Sequence, residues 1–508
     1  MPPVVSDKHA KSIQAILRPL RQIVGKAFVL SEPEELAVYE CDACLMFRHT
    51  PHLVVLPKTT AEVSAVVAQC VKHQVPFIAR GAGTGLSGGA LPVEGGIIIG
   101  LNRMNRIEQI DADNHMALVQ PGVVNAWLNR DVSGFNLFFA PDPSSQSAST
   151  IGGNIAENAG GIHCIKYGVT VDHVLAMEMV LPDGSITWVG STARQSNGLN
   201  LTGVLVGSEG TLGICTRALV RLLPKPASVK VFLVAFAATA HATDSVAHII
   251  REGITPAALE FMDAFTVRAV NEAFNVGFPE GCEAVLLIEL DGDPASLAED
   301  ETRLEAILAE HQALSIRRGT EEAERQKLWA ARKGAVAAYG RYLPAFYLHD
   351  TVIPRSQLTT LLEKIADVAD KYQLTIGNVF HAGDGNLHPN ILFDPADPAM
   401  MKNVLAGGEE ILKACLAVGG TLSGEHGIGL EKSEYMSWLY APKDLERMHT
   451  LKGVFDADNL ANPAKIFPSR RGCSEVRHAL NDLLENPLEN SLNNPGGLTT
   501  DGKEGMWI

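Results

Sequence analysis

Pro76-Phe77-Ile78-Ala79-Arg80 reads as a short strand, and it runs straight into Gly81-Ala82-Gly83-Thr84-Gly85-Leu86-Ser87-Gly88-Gly89, nine residues of which five are glycine. By letter, Gly83-x-Gly85-x-x-Gly88 matches the dinucleotide fingerprint. A Rossmann loop, however, opens a helix and is followed about twenty residues on by an acid for the ribose. Here Gly89-Ala90-Leu91-Pro92 stops a helix, and Asn102-Arg103 stand near the acid's place. The segment is therefore expected to be a different phosphate cradle, in which consecutive small residues leave backbone N–H groups free to converge on a pyrophosphate.

Upstream, His52 to Leu56 reads as a strand and Thr60 to His73 as a helix. In that helix Val63, Val66, Val67, Cys70 and Val71 recur at three- and four-residue spacing behind a Thr59/Thr60 cap. Downstream the small-residue texture returns in Pro141-Asp142-Pro143-Ser144-Ser145 and in Thr150-Ile151-Gly152-Gly153-Asn154-Ile155-Ala156-Glu157-Asn158-Ala159-Gly160-Gly161. A fourth segment, Gly207-Ser208-Glu209-Gly210-Thr211-Leu212-Gly213-Ile214, closes the region. The small residues let backbone approach a flat ligand. Ser144, Ser145, Asn154 and Asn158 add neutral hydrogen-bonding groups suited to ring carbonyls and nitrogens.

The 508 residues carry 42 basic and 58 acidic side chains, a formal charge of −16, which argues against nucleic acid and anionic membrane surfaces as partners. With 46% hydrophobic and 20% charged residues, 46 Gly and 27 Pro, the chain fits a loop-rich enzyme of mixed helix and strand. No apolar run approaches the roughly 20 residues of a bilayer span, so no transmembrane helix is expected. Met1 to Lys8 lacks the features of a signal peptide, so secretion is not expected. Eight scattered cysteines read as reduced cytosolic thiols. Cys41-x-x-Cys44 lacks a second pair at ligand spacing and carries no metal or redox reading.

From Lys230 to Pro354 longer strands and amphipathic helices take over, as in Val231 to Phe236, Val285 to Glu289 and Ala298 to His311. A second domain is expected there. Beyond Arg470 the sequence turns polar and rich in breakers, with a short helix expected at Glu475 to Leu484 and disorder in the last twenty residues.

Within the second half, Asn378-Val379-Phe380-His381-Ala382-Gly383-Asp384-Gly385-Asn386-Leu387-His388-Pro389-Asn390 reads as strand, tight turn, strand, with Asp384-Gly385 as the turn centre. A two-residue turn there sets His381 directly across from His388, with Cβ atoms roughly 4.5–5.5 Å apart. Two imidazoles so placed can share a metal ion. Ser423-Gly424-Glu425-His426-Gly427-Ile428-Gly429 suggests a third ligand, and two His plus one carboxylate leave positions open for substrate. On spacing alone, a pair of buried, hydrogen-bonded histidines fits as well.

Arg80 to Ala90, Ala140 to Ser145, Ile151 to Gly161, Gly207 to Ile214 and Leu460-Ala-Asn-Pro-Ala-Lys-Ile-Phe467 together resemble the FAD-binding domain of the vanillyl-alcohol-oxidase superfamily. Within it the likeness is to the FAD-bearing D subunits of bacterial glycolate oxidase (glycolate dehydrogenase), with D-lactate and D-2-hydroxyglutarate dehydrogenases as relatives. It runs from about residue 20 to about residue 470. The resemblance implies an α+β architecture: a PCMH-type two-subdomain FAD-binding domain plus an α+β substrate cap with an antiparallel sheet and a C-terminal helical segment. The expected spans are 1–50 for an N-terminal helical segment, 51–226 for the FAD domain and 227–430 for the cap with its metal site. Residues 431–470 would return to the flavin, and 471–508 would form a partly disordered polar tail.

The resemblance also implies the site. FAD would be held by Arg80, Gly81, Ala82, Gly83, Thr84 and Gly85; by Pro141, Asp142, Ser144 and Ser145; by Gly152, Asn154, Asn158 and Gly161; and by Glu209, Gly210, Ile214 and Asn462. No His or Cys stands in the first loop, and His163-Cys164 is not an attachment site in this group, so the FAD is expected to be non-covalent. His381, His388 and Glu425 match the family's ligands for a divalent metal, expected to be Zn2+. His426 would be the general base, or else a hydrogen-bonding neighbour of the ligands. Arg332, with Lys333 and Arg341 as competitors, would hold the substrate carboxylate, and Asn390 would touch substrate. Val336 and Leu348 stand where relatives specific for a dicarboxylate carry polar groups, which implies a short 2-hydroxy acid, glycolate or D-lactate. Electrons would pass to flavin and iron–sulfur partner subunits and on to quinone, because the chain has no four-cysteine cluster motif of its own. The expected location is cytoplasmic, peripheral to the inner membrane through those partners. A non-catalytic flavin carrier, an oxygen-using oxidase and a D-2-hydroxyglutarate dehydrogenase are the competing readings.

Overall fold

The computed structural model describes residues 9–44, 46–192 and 198–468. The helix expected at 475–484 and the expected disorder of the last twenty residues lie outside them. The first unit is built on a four-stranded sheet of Val29–Leu30, Leu53–Val55, Ile97–Gly100 and Phe77–Arg80, in that spatial order, with the last three parallel. Helices Ala10–Val24 and Thr60–His73 cover one face through Ile16, Leu20, Val63, Val66, Val67 and Cys70, all fully buried. Each such side chain contributes about 1.5–3 kcal/mol. The Thr59 hydroxyl caps the second helix by accepting the Glu62 N–H at 3.2 Å, as the sequence predicts. After Arg80 the chain forms no helix before Ile97, so the Rossmann reading is excluded in the structure too.

The second unit is an antiparallel five-stranded sheet in the order Ile107–Asp111, Met116–Val119, Ile214–Arg221, Val174–Val180, Ile186–Gly190. Packed against it is a helix, Ile151–Glu157, where the sequence suggested only a glycine-rich loop. Thr150 caps it by accepting the Gly153 N–H at 3.3 Å, and Asn158 ends it in the left-handed region at φ 51°. Gly152-Gly153 in the first turn hide the helical pattern from a reading by periodicity.

The third unit is a large antiparallel sheet running Ala313–Gly319, Ser228–Phe236, Ala284–Gly292, Ala258–Asp263, Thr375–His381, then Asn386–Leu387 and Thr351–Val352. Pro389–Phe393 pairs with both Thr375–His381 and Ala345–Leu348. One face is covered by Thr239–Arg251, Pro294–Glu310, Leu358–Tyr372 and Pro398–Ala417, the other by Ala264–Phe274, Glu322–Lys333 and Ala335–Tyr339. The helix expected from Ala298 starts earlier, at Pro294, because Asp293 accepts the N–H groups of Ala295 and Ser296. Finally, Pro442–Phe455 leads the chain back to the first sheet, where Phe77 N–H donates to Leu460 O at 2.9 Å and Asn462 N–H donates to Phe77 O at 2.9 Å. The last described segment thus lies beside the strand that feeds the first glycine loop. The α+β class expected from the sequence holds.

Candidate active site

The glycine segments of the first two units face one cleft enclosing about 1360 Å³ including its mouth. Gly81, Ala82, Gly83, Thr84 and Gly85 form one wall; Ser144, Ser145, Gly152 and Asn154 form another; Glu209, Gly210 and Ile214 complete it. Arg80 reaches the cleft as well, but its guanidinium tucks under the loop, donating to Cys41 O at 2.7 Å and lying where a Cβ on Gly83 would stand. Five of the expected cofactor residues do not line the cleft. Pro141 O accepts from Asn125 Nδ2 at 2.8 Å, and Asn158 Oδ1 accepts the Val171 N–H at 2.8 Å. Asp142 pairs with His163, with Gly161 against its backbone. Asn462 Nδ2 donates to Gly89 O and Glu209 O, tying two glycine loops together from behind.

The cleft fits a large polar cofactor on two counts. Asn154 Nδ2 and Ser149 Oγ, both on residues lining it, are buried without a protein partner. Such atoms are costly to leave unpaired. A Cβ on Gly85 would meet nothing within 4 Å, so the cleft is open along this stretch of the loop.

At the cleft's far wall stand Glu425 and His426. Their loop, 423–429, joins the hairpin of the large sheet. That hairpin corrects the expected register: its turn has four residues, 382–385, and His381 pairs with Asn386. Gly385 sits in that turn at φ 79°, and a Cβ there would lie 2.2 Å from Ile353 O, so the position requires glycine. His388 is therefore the diagonal neighbour of His381, not its direct partner, and the two rings still meet edge to face with centroids 5.0 Å apart. Glu425 Oε1 lies 3.3 Å from Nε2 of each histidine. These three side chains, all largely buried, form a set of donors able to hold a metal ion.

The loop is held from both sides. The Asp350 carboxylate, fully buried, accepts the Ser423 hydroxyl at 2.6 Å and the N–H groups of Gly424, Glu425 and His426 at 2.8, 3.1 and 3.0 Å. Glu209 accepts the N–H groups of Ile428 and Gly429 at 2.7 and 2.8 Å, joining the cofactor cleft to the loop. Burial would raise the Glu425 pKa, but the bonds to His381 and His388 outweigh it and hold the carboxyl well below its usual range. Burial pushes His426 down to about 4, so its ring is neutral near pH 7. That ring stacks on His388 at 5.2 Å.

Arg332 does not line the cleft and is engaged behind the cluster: Nε and Nη2 donate to Glu260 Oε2 at 2.8 and 2.6 Å, while Glu260 Oε1 accepts from His381 Nδ1 at 2.7 Å. Asn390 does not line the cleft; its Nδ2 donates to His388 O at 2.7 Å and to Gly377 O at 3.3 Å. Lys333 lies over the Trp329 ring and Arg341 donates to Glu272 O, both outside the cluster. Val336 and Leu348 are half-buried and do not line the cleft. Glu260, Asp350 and the loop-holding role of Glu209 were not anticipated. A lone Glu in the apolar strand Ala258–Asp263 was the available signal for the first, since a core acid needs partners.

Two domain families match the chain: FAD binding domain over residues 51–190, and FAD linked oxidases, C-terminal domain, over residues 225–466. The Escherichia coli K12 protein "Glycolate oxidase subunit GlcD" is 44% identical over 461 residues, covering 91% of this chain and 92% of its own. "D-lactate dehydrogenase" of Anaerostipes hadrus is 33% identical over 443 residues, covering 85% and 91%. Among solved structures, p-cresol methylhydroxylase with substrate bound aligns with a TM-score of 0.77 at 19% identity, over 90% of this chain and 97% of its own. 4-ethylphenol oxidase from Gulosibacter chungangensis aligns with a TM-score of 0.75 at 20% identity, over 93% and 100%. Those two show the fold, and the PCMH-type FAD-binding expectation holds. With the relatives' identity and coverage beside the geometry of cleft and loop, the chain belongs to the FAD-linked oxidases, in the group that contains the glycolate oxidase GlcD subunits and D-lactate dehydrogenases.

Proposed function

We propose that this protein oxidises a short 2-hydroxy acid, glycolate to glyoxylate or D-lactate to pyruvate, as an FAD-linked dehydrogenase. The observation that carries the proposal is the opening of the His381–His388–Glu425 cluster, through Glu425 and His426, onto the cleft whose orphaned Asn154 and Ser149 groups suit FAD. A flavin carrier without chemistry has no use for such a cluster. Bound non-covalently, FAD supplies the hydride acceptor, and a divalent ion such as Zn2+ on His381, His388 and Glu425 supplies Lewis acidity toward the hydroxyl. Neither His163 nor Cys164 lines the cleft, which favours dissociable flavin.

The chain's own groups do the rest. His426 takes the hydroxyl proton at Nε2, which lies 4.0 Å from Glu425 Oε1 on the cleft wall. Arg332 holds the carboxylate with the edge of its guanidinium that Glu260 leaves free.

The relatives named as oxidase subunits make a multi-subunit complex the natural setting, with iron–sulfur and flavin partners carrying electrons toward quinone. The metal-capable groups among the described residues contain no cysteine, so an iron–sulfur relay would come from another chain. No helix among the described residues is long and apolar enough to cross a membrane; a cytoplasmic location, peripheral to the inner membrane through those partners, suits this.

The test is anaerobic flavin bleaching of metal-analysed protein with glycolate, D-lactate, L-lactate and D-2-hydroxyglutarate, repeated with His381→Ala. Rapid bleaching by glycolate or D-lactate is expected, with both bleaching and bound metal lost in the variant. Bound flavin that no hydroxy acid reduces, in protein without metal, would overturn the reading in favour of the carrier.

A further inference from the structure

Glu260 sits in mid-sheet on Ala258–Asp263, between Ala284–Gly292 and Thr375–His381, with its side chain 1% exposed. A carboxylate there costs several kcal/mol in lost hydration unless both oxygens are paired, and an apolar residue of similar size would pack the sheet at no such cost. Both oxygens are paired, and with different partners. Oε1 accepts from Nδ1 of His381, its cross-strand register partner, at 2.7 Å, and Oε2 accepts Nε and Nη2 of Arg332 at 2.8 and 2.6 Å. The first bond holds the ring by Nδ1 and turns Nε2 toward Glu425 and the cluster, the orientation a metal ligand needs. The second holds Arg332, whose helix, Glu322–Lys333, supplies no member of the cluster.

We propose that Glu260 is a positioning residue that couples the carboxylate clamp to the metal ligand: one buried carboxylate sets both the aim of Arg332 and the aim of His381 Nε2. The proposal rests on the function proposed above. Its consequence is that a disturbance at one end reaches the other, because a Glu260 carboxylate no longer held at Oε2 by Arg332 is free to shift and carries Oε1, with His381 Nδ1, along with it. A change at Arg332, which touches no member of the metal-capable cluster, should therefore weaken the metal.

The experiment compares intact FAD-loaded wild type with Glu260→Gln, Glu260→Asp, Arg332→Lys and the double variant Glu260→Gln/Arg332→Lys. Zinc affinity is measured by chelator competition, alongside kcat and KM for glycolate; flavin absorption and unfolding temperature report the fold. Glu260→Gln keeps an acceptor for His381 but turns an NH2 group toward Arg332. It is expected to weaken zinc about 10–100-fold and to raise KM about tenfold or more, with a smaller fall in kcat, and Glu260→Asp is expected to recover part of both. Arg332→Lys is expected to weaken zinc as well, with the double variant no weaker than Glu260→Gln alone. Unchanged zinc affinity in Arg332→Lys, or losses that multiply in the double variant, would overturn the coupling even if Glu260→Gln failed to fold. Zinc that fails to bind the wild type would instead count against the metal site itself.

Discussion

Two glycines that line the cleft answer to different constraints. A Cβ on Gly152 would lie 2.5 Å from Pro121 Cβ and 3.0 Å from its carbonyl oxygen, so glycine is required there for the helix to pack. Gly85 has open space around it and no left-handed backbone, so nothing in the protein itself requires glycine. Gly85→Val is therefore expected to leave the unfolding temperature of the FAD-free protein unchanged while weakening FAD at least tenfold, about 1.4 kcal/mol. Gly152→Ala is expected to destabilise the same apoprotein by about 1–3 kcal/mol. Flavin titration by fluorescence, beside thermal unfolding of the apoproteins, separates the two. Wild-type FAD affinity in Gly85→Val would mean that the first loop is not part of the cofactor's seat.

At the scale of an element, loop 423–429 has no regular structure and owes its shape to carboxylates outside it. Asp350 collects one hydroxyl and three backbone N–H groups from it. In Asp350→Asn the charge is lost and an amide NH2 faces donors, at a cost of about 1–3 kcal/mol. The expected result is a lower unfolding temperature and loss of bound metal, because Glu425 is no longer held between His381 and His388. Thermal unfolding and metal analysis of the variant check both, and a variant that retains the metal would show that the loop keeps its shape without Asp350. Local pattern made much of the molecule legible beforehand: the Thr60–His73 helix with its cap, the strands around the first glycine loop, and the pairing of two histidines with Glu425. Long-range partners were not legible. Glu260 meets a histidine 121 residues away, and Asp350 meets backbone N–H groups, which leave no mark on side-chain identity. The hairpin register escaped because Asp384-Gly385 has the letters of a two-residue turn, whereas the chain turns over four residues, 382–385, with Gly385 packed against the remote Ile353 carbonyl.

Across the whole molecule, the cleft works only if the large sheet stays docked on the cofactor-holding units, and beside apolar contacts such as that of Ile162 the docking contact has a charged, hydrogen-bonded part. His163, beyond the helix Ile151–Glu157, bonds Asp142 at 2.7 Å with Nδ1 and Glu289 of the large sheet at 3.1 Å with Nε2. Trp329 Nε1 donates to the other Glu289 oxygen at 2.8 Å, and Lys166 and Tyr167 both bond Asp291 on the same strand. Burial alone would lower the His163 pKa, but the Asp142 and Glu289 carboxylates outweigh it and hold the ring well above the ordinary imidazole value. The imidazolium therefore bridges two anions across the junction. With the folded pKa above the unfolded value of about 6.5, its stabilisation is fully present below that pH and is lost as pH rises through the folded value. His163→Gln is expected to cost about 1.5–3 kcal/mol at pH 6, the range for hydrogen bonds to charged groups. The gap in unfolding temperature between wild type and variant should then close steadily toward alkaline pH. Thermal unfolding of both proteins from pH 6 to pH 10 decides it, since a gap that stays constant would mean that the bridge is a neutral hydrogen bond and that the docking carries no such charge.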